Sequence, residues 1–389
     1  MNIYVHTTNK DESFVALQIF DFLFAYKQHQ NRENNFYVPY NIEIGNQLPF
    51  GEPDTLHIGF FSKPEGNIDI SNFDFAIVDA NVHQLEVATQ GMYQSVINND
   101  NCYWTTGAFV SKSHPLKHKL IFSPNYMVTR DMYARAIFYP YFEPTPSIEE
   151  RRKEKRKAIA WINGQDRPHR RYFLEKLKDQ CKEKIFYRDT IWKMSSQLLD
   201  APVESFDDTK FRNLVNSMYP VVDNTHELEQ TYYSQKHPIG IKGQFGSFGI
   251  GHQVLNEYRT HNCIIFPEST WINDEILVTE KILKCFVSKT IPWPIGGALT
   301  DVLYNELGYK TAWNLLPDPL KSYTYETNHQ ARVKKCVEAI DWLANNSDLL
   351  TSEQAFNILE NNYNLMFTNK HDIIGVEYLD SLIKKYAKT

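Results

Sequence analysis

The sequence predicts an α/β protein with two domains, each built around a parallel β-sheet. Its 389 residues are enough for two or three domains at about 100–200 residues each. Short apolar runs bounded by polar turns, at 55–61 and 73–80, are typical of buried parallel strands. Stretches with a helical spacing of apolar residues alternate with such runs in both halves of the chain, which is the pattern of α/β folds.

The same periodicity assigns the elements in chain order. In the first half we expect strands at 2–6, 55–61, 73–80 and 118–124, and an amphipathic helix at 12–29. In the second half we expect strands at 157–162, 262–266 and 290–295, and helices at 170–181, 279–289, 331–346 and 375–388. The prolines of 290–295 place that strand at a sheet edge or a strand start, because proline cannot donate to the ladder.

A run of nine consecutive charged residues marks the boundary between the domains. The predicted organisation is an N-terminal α/β domain at 1–148, a charged linker at 149–157, a second α/β domain at 158–350 and C-terminal helices at 351–389. Such a run is usually a solvated linker or an exposed helix face. Its basic residues leave a second interpretation open, a patch that contacts anionic membrane lipids.

The composition excludes several classes of protein. A formal net charge of -6 argues against nucleic acid as the main partner. The five cysteines are scattered and indicate reduced, mostly buried thiols in a cytoplasmic protein. No run of about 18 apolar residues predicts a membrane span, and no His or Cys spacing predicts a metal site. The 24 Phe, 23 Tyr and 7 Trp are interpreted as core residues, with sugar-stacking surfaces as the alternative.

The stretch VTEKILKCFVSK, 278–289, places an acid–base pair at the start of a predicted helix. Thr279 is a plausible N-cap, so Glu280 and Lys281 fall in the first turn. Unpaired backbone N–H groups already make a helix start positive, and a lysine adds to that charge. A bound phosphate would supply the compensating negative charge. The alternative is an ordinary surface Glu–Lys pair.

A second predicted helix start is also rich in positive charge. Arg167, Arg170 and Arg171 precede or open the helix that follows the strand ending at Asn163. The planar guanidinium fork of arginine suits phosphate oxygens. The alternative is a solvated basic turn. Two such sites in one α/β domain favour a single ligand with two phosphates.

Neither the P-loop nor the Gly-x-Gly-x-x-Gly fingerprint occurs in the sequence. The glycine-rich segment 240–252 matches neither spacing and is either a mobile loop over an active site or a plain cluster of turns. No Asp-x-Asp pair occurs, which argues against a metal that bridges phosphates. Cationic side chains could neutralise a diphosphate leaving group without a metal or other cofactor.

The segment 266–297 resembles the donor-binding signature of the α-1,3-fucosyltransferases, glycosyltransferase family 10. That signature runs Phe-Glu-Asn-Ser, a short spacer, Thr-Glu-Lys, a helix, and then a proline-containing strand followed by glycine. The matching residues are Phe266, Glu268, Ser269, Thr279, Glu280, Lys281, Pro292 and Gly296. Two weaker stretches agree, Arg170 with its following Phe173 and Leu177, and the segment 63–80.

The resemblance implies a GT-B fold, in which two Rossmann-like domains face each other across a cleft. The N-terminal domain would hold a glycan acceptor, and the second domain would hold GDP-fucose as the donor substrate. The donor-binding residues that the resemblance assigns are Arg167, Arg170, Glu268, Thr279, Glu280 and Lys281. Among these, Lys281 and Arg170 would bind the diphosphate, and Glu280 would contact the ribose or the sugar.

Glu65 is the residue that the resemblance assigns as general base. It would remove the proton from the acceptor hydroxyl as that oxygen attacks the anomeric carbon with inversion. Asp11, Glu12 and Glu52 are the acids to consider if the base lies elsewhere. Eukaryotic members of the family carry a membrane anchor and this sequence shows none, so we expect a cytoplasmic enzyme of a bacterium or of a virus-infected host cell.

Three functions remain open from the sequence. The first is a metal-independent inverting glycosyltransferase that uses GDP-fucose or a related nucleotide sugar. The second is a nucleotide-sugar- or glycan-binding protein on the same scaffold without catalysis. The third is a protein that contacts a membrane surface through the basic residues of 151–157. Arg332, on a later predicted helix, is interpreted as a surface residue, with a contact to the donor as the alternative.

Overall fold

The computed structural model describes residues 1–8, 16, 20, 40–62, 68–79, 90–110, 116–122, 146–163, 168–189, 256–268, 275–279, 281–368 and 373–387. The chain divides into two compact units. The first comprises Met1–Val128 with Lys370–Thr389, and the second is Thr129–Asn369. Each unit is built on a sheet of parallel strands flanked by helices, so the predicted α/β class with two Rossmann-like units is confirmed.

The described strands are β1 Asn2–His6, β2 Asn41–Gly45, β3 Thr55–Ser62, β4 Phe75–Asp79, β5 Cys102–Thr106, β6 Ala108–Val110, β7 Leu120–Phe122, β8 Lys157–Asn163, β9 Phe186–Asp189, β10 His261–Pro267, β11 Glu275–Leu277 and β12 Ile291–Ile295. The described helices are α1 Gln90–Asn98, α2 Ile148–Lys153, α3 Pro168–Cys181, α4 Asn256–Thr260, α5 Lys281–Val287, α6 Thr300–Glu306, α7 Asp318–Lys321, α8 His329–Asn345, α9 Glu353–Thr368 and α10 Ile373–Tyr386.

The sheet of the first unit has the order β2-β1-β3-β4-β5-β7, with every pair parallel. Successive side chains point to opposite faces, so Val5 and Ile58 pack on one face while Val78 and Trp104 pack on the other. Because β2 lies on one side of β1 and β3 on the other, the strand order reverses between β1 and β3.

The last helix belongs to the first unit rather than to a separate group of C-terminal helices at 351–389. Leu379, Leu382 and Ile383 of α10 are buried against the face of the first sheet that carries Val5 and Ile58. Such apolar burial stabilises by about 25 cal/mol per Å². Helix α9, in contrast, contributes its buried side chains to the core of the second unit. The predicted boundary at 350/351 therefore separates residues that pack together.

A pair of histidines lies on the opposite face of the first sheet. His6, the last residue of β1, and His57 of β3 are both buried, with 3.0 Å between Nε2 of His6 and Nδ1 of His57. The ring of Phe50 stacks on that of His6, with 4.1 Å between ring centroids. Nearby acids are Glu52, which accepts from the Tyr4 hydroxyl at 3.1 Å, and Asp74, which accepts from the His57 backbone N–H at 2.7 Å.

The sheet of the second unit has the order β12-β10-β8-β9, again parallel throughout. Within the described strands β12 lies at the edge, as the prolines at 292 and 294 predict. Helix α3 packs its apolar side on this sheet, where the rings of Trp161 and Phe173 stack with 5.4 Å between centroids. Chain order runs from β8 to β9 on one side and then to β10 and β12 on the other, so the strand order reverses between β8 and β10.

Residues 149–157 are folded into the second unit rather than forming a solvated linker. Helix α2 begins with a capping box in which Ser147 and Glu150 exchange hydrogen bonds. Arg151 is only 1% exposed, donates to the Lys289 carbonyl at 3.1 Å and also bonds the side chain of Asn262. Burial lowers the pKa of Arg151 to about 10.

Arg156 has a similar role at the end of the same charged run. Its guanidinium donates to the Ser288 carbonyl and to the Thr290 hydroxyl, both at 2.9 Å. Carbonyl groups beyond the end of a helix lack intrahelical partners, and cationic side chains stabilise them. The two arginines thus hold the chain where α5 ends. Most other residues of the charged run are exposed, so the interpretation as an exposed helix face describes α2, and these two arginines are not available to a lipid surface.

All five cysteines are buried and free, which confirms the prediction of core thiols. Burial raises the pKa of Cys102 and of Cys181 to about 12, so both are protonated thiols at neutral pH. A search of the described helices finds none with the length and hydropathy needed to cross a membrane.

A buried carboxyl group lies beneath the carboxyl end of β12. Asp301 of α6 accepts hydrogen bonds from the Thr311 hydroxyl at 2.8 Å and from the Tyr323 hydroxyl at 2.7 Å. Tyr323 in turn accepts from Nε1 of Trp293 at 3.0 Å. Burial raises the pKa of Asp301 to about 6 despite these bonds, so the folded unit holds this carboxyl near its titration point at neutral pH.

Replacing His6 with Gln should make the first unit less sensitive to acid. Burial, and then the neighbouring His57, lowers the pKa of His6 to about 4 from 6.5. Between these two values the unfolded chain binds a proton that the folded unit does not, so stability falls as the pH drops. The loss at pH 5 relative to pH 7 should be about 2 kcal/mol. Hydrogen exchange of the β1 and β3 amides at both pH values measures it.

The matched control for this change is His118→Gln, because His118 is exposed. We expect the control to lose as much protection as the wild type on acidification, and His6→Gln to lose less. Equal losses in all three proteins would show that the histidine pair does not set the acid sensitivity.

Replacing Asp301 with Asn should have the opposite pH signature in the second unit. The folded unit binds a proton at Asp301 between about pH 6 and the unfolded value of 3.8, so this carboxyl contributes stability that grows as the pH falls, measured as the difference between wild type and variant. From pH 7 to pH 5 the gain should be about 1 kcal/mol, and the variant should lack it. Exchange of the β8 and β10 amides reports it, with the exposed Asp348→Asn as control. A variant that keeps the gain would contradict the assignment.

Candidate functional site

Ligands of open parallel sheets bind beyond the carboxyl ends of the strands, where the strand order reverses. In the second unit this point lies between β8 and β10, which pair in register from His261 opposite Lys157 to Ile265 opposite Trp161. The residue that ends β8 is Asn163, and the residue after β10 is Glu268. Both are polar and buried. Topology therefore selects the same region that the sequence motifs select.

Arg170 joins these two strand ends. It lies in the first turn of α3, whose first residue is Pro168, a favoured residue at that position. Its guanidinium donates to Oδ1 of Asn163 at 3.3 Å and to the carbonyl oxygen of Glu268 at 3.0 Å. Only 1% of Arg170 is exposed. Arg170 is thus part of the floor of the site, and its charge acts from below the surface.

The Glu268 carboxylate lies at the centre of the site and is 1% exposed. One oxygen accepts from the Tyr304 hydroxyl at 2.6 Å and from the Thr279 backbone N–H at 3.4 Å. The other oxygen accepts from the Thr279 hydroxyl at 2.7 Å. The Glu268 backbone N–H donates to the carbonyl of Ile295, at the end of β12, at 2.7 Å. These bonds tie Glu268, which follows β10, to the end of β12, to Thr279 and to Tyr304 of α6.

Lys281 is the first residue of α5 and the most accessible of the four described donor-site residues. Its ammonium donates to the Thr279 hydroxyl at 2.9 Å and lies 3.9 Å from the nearer Glu268 oxygen. The side chain is 18% exposed, so it reaches solvent while its charge is partly balanced by a buried acid. The interpretation as an ordinary surface Glu–Lys pair does not describe this lysine.

The described charges of the site do not cancel. Arg170 and Lys281 are cations and Glu268 is an anion, so these three side chains carry a net charge of +1. A net positive charge at a largely dry strand end is favourable for an anionic ligand, because the low dielectric strengthens the interaction. The arrangement can therefore bind an anion and stabilise negative charge that develops on it.

Three of the predicted site residues lie outside the described residues. These are Glu65, Arg167 and Glu280, and the glycine-rich segment 240–252 lies outside them as well. Arg170, Glu268, Thr279 and Lys281 are brought together as the motif predicts. Of the acids considered as alternative bases, Glu52 is described and is exposed beside Tyr4, whereas Asp11 and Glu12 are not described.

Tyr304 is a site residue that sequence reasoning missed. It comes from α6, far along the chain from Glu268, and its buried hydroxyl donates to that carboxylate at 2.6 Å. Burial and then the charge of Glu268 raise the pKa of Tyr304 well above its usual value, so this hydroxyl stays protonated and donates. No spacing rule connects the two positions, because only the packing of α6 beside β12 brings them together.

The interpretation of Arg332 as a surface residue is wrong. Arg332 of α8 is 3% exposed and donates to the Glu326 carbonyl at 2.8 Å. Burial lowers its pKa to about 10. It lines a small pocket beside Gly296 and Thr324, with a cavity volume of about 10 Å³. That is room for about one water molecule, so the pocket does not by itself define a small-molecule site.

Within the described residues, no group of three or more His, Cys, Asp or Glu side chains is placed to hold a metal ion. The described site contains cations and hydroxyls as its candidate groups for an anion.

No protein-family model and no curated protein matches the chain in sequence. The solved structures to which the chain is similar include three of α1,3-fucosyltransferases. The crystal structure of an α1,3-fucosyltransferase with GDP-fucose has 13% identity and a TM-score of 0.36, covering 100% of this chain and 90% of that one. The crystal structure of an α1,3-fucosyltransferase with GDP has 14% identity and a TM-score of 0.33, covering 100% of this chain and 90% of that one. A crystal structure of an α1,3-fucosyltransferase without a stated ligand has 14% identity and a TM-score of 0.29, covering 96% of this chain and 91% of that one. Likeness at this level decides nothing about the site, and the side chains of this chain must carry any functional conclusion.

Replacing Arg170 with Met should destabilise the second unit by about 2–4 kcal/mol. The change removes two hydrogen bonds and leaves the buried acceptors of Asn163 and Glu268 short of a donor, and each such group costs about 1–3 kcal/mol. Chemical denaturation measures the loss. Lys176→Met, on the exposed side of the same helix, is the matched control and should stay within about 0.5 kcal/mol of the wild type. Equal free energies of unfolding for Arg170→Met and the wild type would show that the hydrogen bonds of Arg170 do not stabilise the second unit.

Proposed function

We propose that the chain is a nucleotide-sugar-dependent glycosyltransferase, with GDP-fucose as donor and a glycan hydroxyl as acceptor. The observation that carries this proposal is the convergence of Arg170, Glu268, Thr279 and Lys281 where the strand order of the second sheet reverses. A nucleotide sugar supplies a diphosphate, and a site with one accessible ammonium above a buried guanidinium fits that group. The Thr-Glu-Lys motif at 279–281 supports the same ligand.

The proposed roles of the site residues follow from their geometry. Lys281, which reaches solvent, contacts the diphosphate directly. Arg170 adds positive potential from below and holds the strand ends that shape the site. As the bond to the sugar breaks, charge grows on the diphosphate, and fixed cations stabilise it without needing to reorganise. In this proposal the two cations do the work of a metal ion, so transfer proceeds without one.

Glu65 remains the proposed general base. It follows the end of β3 by three residues, and β3 adjoins β1 at the point where the strand order of the first sheet reverses. An acid at that position in the chain suits a role at the carboxyl end of the sheet. It would take the proton of the acceptor hydroxyl as the oxygen attacks the anomeric carbon, so that the reaction is a single displacement with inversion. A cytoplasmic location also remains a prediction.

A binding protein without catalysis is the second candidate. The described side chains of the site account for holding an anion, and none of them is placed to remove a proton from an acceptor. The measurement that separates the two candidates is release of nucleoside diphosphate in the presence of a panel of glycan acceptors. Binding without turnover for every acceptor and nucleotide sugar would favour the second candidate.

Replacing Lys281 with Met should weaken the binding of GDP and GDP-fucose by about 10- to 100-fold. The change removes a charge-assisted hydrogen bond, worth about 1.5–3 kcal/mol. Titration calorimetry at fixed salt measures the affinity. The control is Lys335→Met, which removes a lysine paired with Glu326 on the surface and should leave the affinity unchanged. Wild-type affinity in Lys281→Met would remove the diphosphate role.

Replacing Glu65 with Gln should leave the affinity for GDP-fucose unchanged and slow transfer by about 10²- to 10⁴-fold, the usual contribution of general-base catalysis. The exposed Glu52→Gln is the comparison, since Glu52 is the described acid among the alternatives. If Glu52→Gln loses turnover and Glu65→Gln keeps it, the base is Glu52 rather than Glu65.

A further inference from the structure

We propose that Glu268 is an internal counter-ion that competes with the anionic ligand for Lys281, and so acts as a positioning residue that limits how tightly the ligand is held. The inference rests on the proposed function, because it concerns the same site. Its basis is one cluster of contacts: Glu268 accepts from Thr279 and Tyr304, and Lys281 lies 3.9 Å away across the Thr279 hydroxyl.

The two partners of this ion pair differ in how firmly they are held. Glu268 is 1% exposed and receives hydrogen bonds at 2.6 Å and 2.7 Å on its two oxygens. Lys281 is 18% exposed, and its ammonium bonds the Thr279 hydroxyl at 2.9 Å at the end of a flexible stem. The carboxylate therefore stays in place, and the ammonium is the part that moves.

Thr279 connects the two charges. Its hydroxyl donates to Glu268 and accepts from Lys281, so it holds the ammonium on the side of the carboxylate while no ligand is bound. A diphosphate must draw the ammonium away from this position. When the diphosphate leaves, the Glu268 carboxylate is still in the same position, and the Lys281 ammonium returns to its contact with Glu268 and Thr279. The pair thus weakens binding and speeds release, in contrast to Arg170, which is held on its own partners throughout.

The sign of the effect distinguishes this role from a structural one. A residue that only supports the site weakens binding when it is replaced. Removing the negative charge of Glu268 raises the summed charge of Arg170, Glu268 and Lys281 from +1 to +2. The ligand also no longer competes for Lys281. Both effects strengthen binding of an anion.

The test is Glu268→Gln, titrated with pyrophosphate and with GDP. Glutamine has nearly the same shape, its oxygen can accept from Tyr304, and its amide can donate to the Thr279 hydroxyl. We expect about tenfold tighter binding of both probes, mainly through slower dissociation, with the gain shrinking as salt is added. Adding Lys281→Met to this variant should abolish the gain. The control Glu353→Gln removes an exposed carboxylate paired with Arg152 and should leave the affinity unchanged.

The outcomes distinguish a failure of the counter-ion role of Glu268 from a failure of the proposed function. If the wild type binds the probes and Glu268→Gln binds them equally or more weakly, the counter-ion role is overturned while the proposed function stands. If no protein in the series binds either probe, both are overturned. If Glu268→Gln does not fold, a crystal structure of the wild type with pyrophosphate decides. Lys281 Nζ should then have left Glu268 for a phosphate oxygen, and an ammonium still on Thr279 and Glu268 would refute the role.

Discussion

The hydrogen bonds that Arg170 makes to Asn163 and to the Glu268 carbonyl are the link on which the candidate site depends. They join the carboxyl ends of β8 and β10, the two strands between which the order of the second sheet reverses. A point of reversal leaves a crevice because the connections depart to opposite sides. Arg170 sets the floor of that crevice, and the Glu268 side chain above it sets the position of Thr279 and Lys281.

The strand ends stay polar because the buried groups satisfy one another. A carboxylate taken out of water alone would be costly, but Glu268 accepts from Thr279 and Tyr304 and lies near Lys281. The same logic applies to Arg151 and Arg156, which bond carbonyl groups beyond the end of α5. In each case a charge is buried where the backbone or another side chain supplies its partner, so these charges shape the second unit.

The parts of the fold that depend on local pattern could be predicted from the sequence. Apolar runs in the sequence coincide with strands β1, β4, β8 and β10. The prolines of β12 place that strand at an edge of the described sheet. What could not be predicted depends on distant packing. Helix α10 returns to the first unit, and the side chains of Arg151, Arg156 and Arg332 are buried although their sequence context is polar. A window of sequence reports charge and periodicity, and it does not report which carbonyls a distant helix leaves unpaired.

The candidate site shows the same division between local motif and distant packing. The Thr-Glu-Lys motif and Arg170 meet at the ends of β8 and β10, because Arg170 bonds Asn163 at the end of β8 and Thr279 bonds Glu268 after β10. From the sequence alone, Lys281 is a cation whose counter-charge has to come from a ligand. In the structure Glu268 supplies part of that charge, and Tyr304 from α6 holds Glu268 in place. Under the proposed function, Lys281 would have two alternative partners, the fixed carboxylate of Glu268 and a transiently bound diphosphate. Such a site would bind a diphosphate less tightly than its cations alone would allow, which would suit an enzyme that releases a nucleoside diphosphate after each transfer.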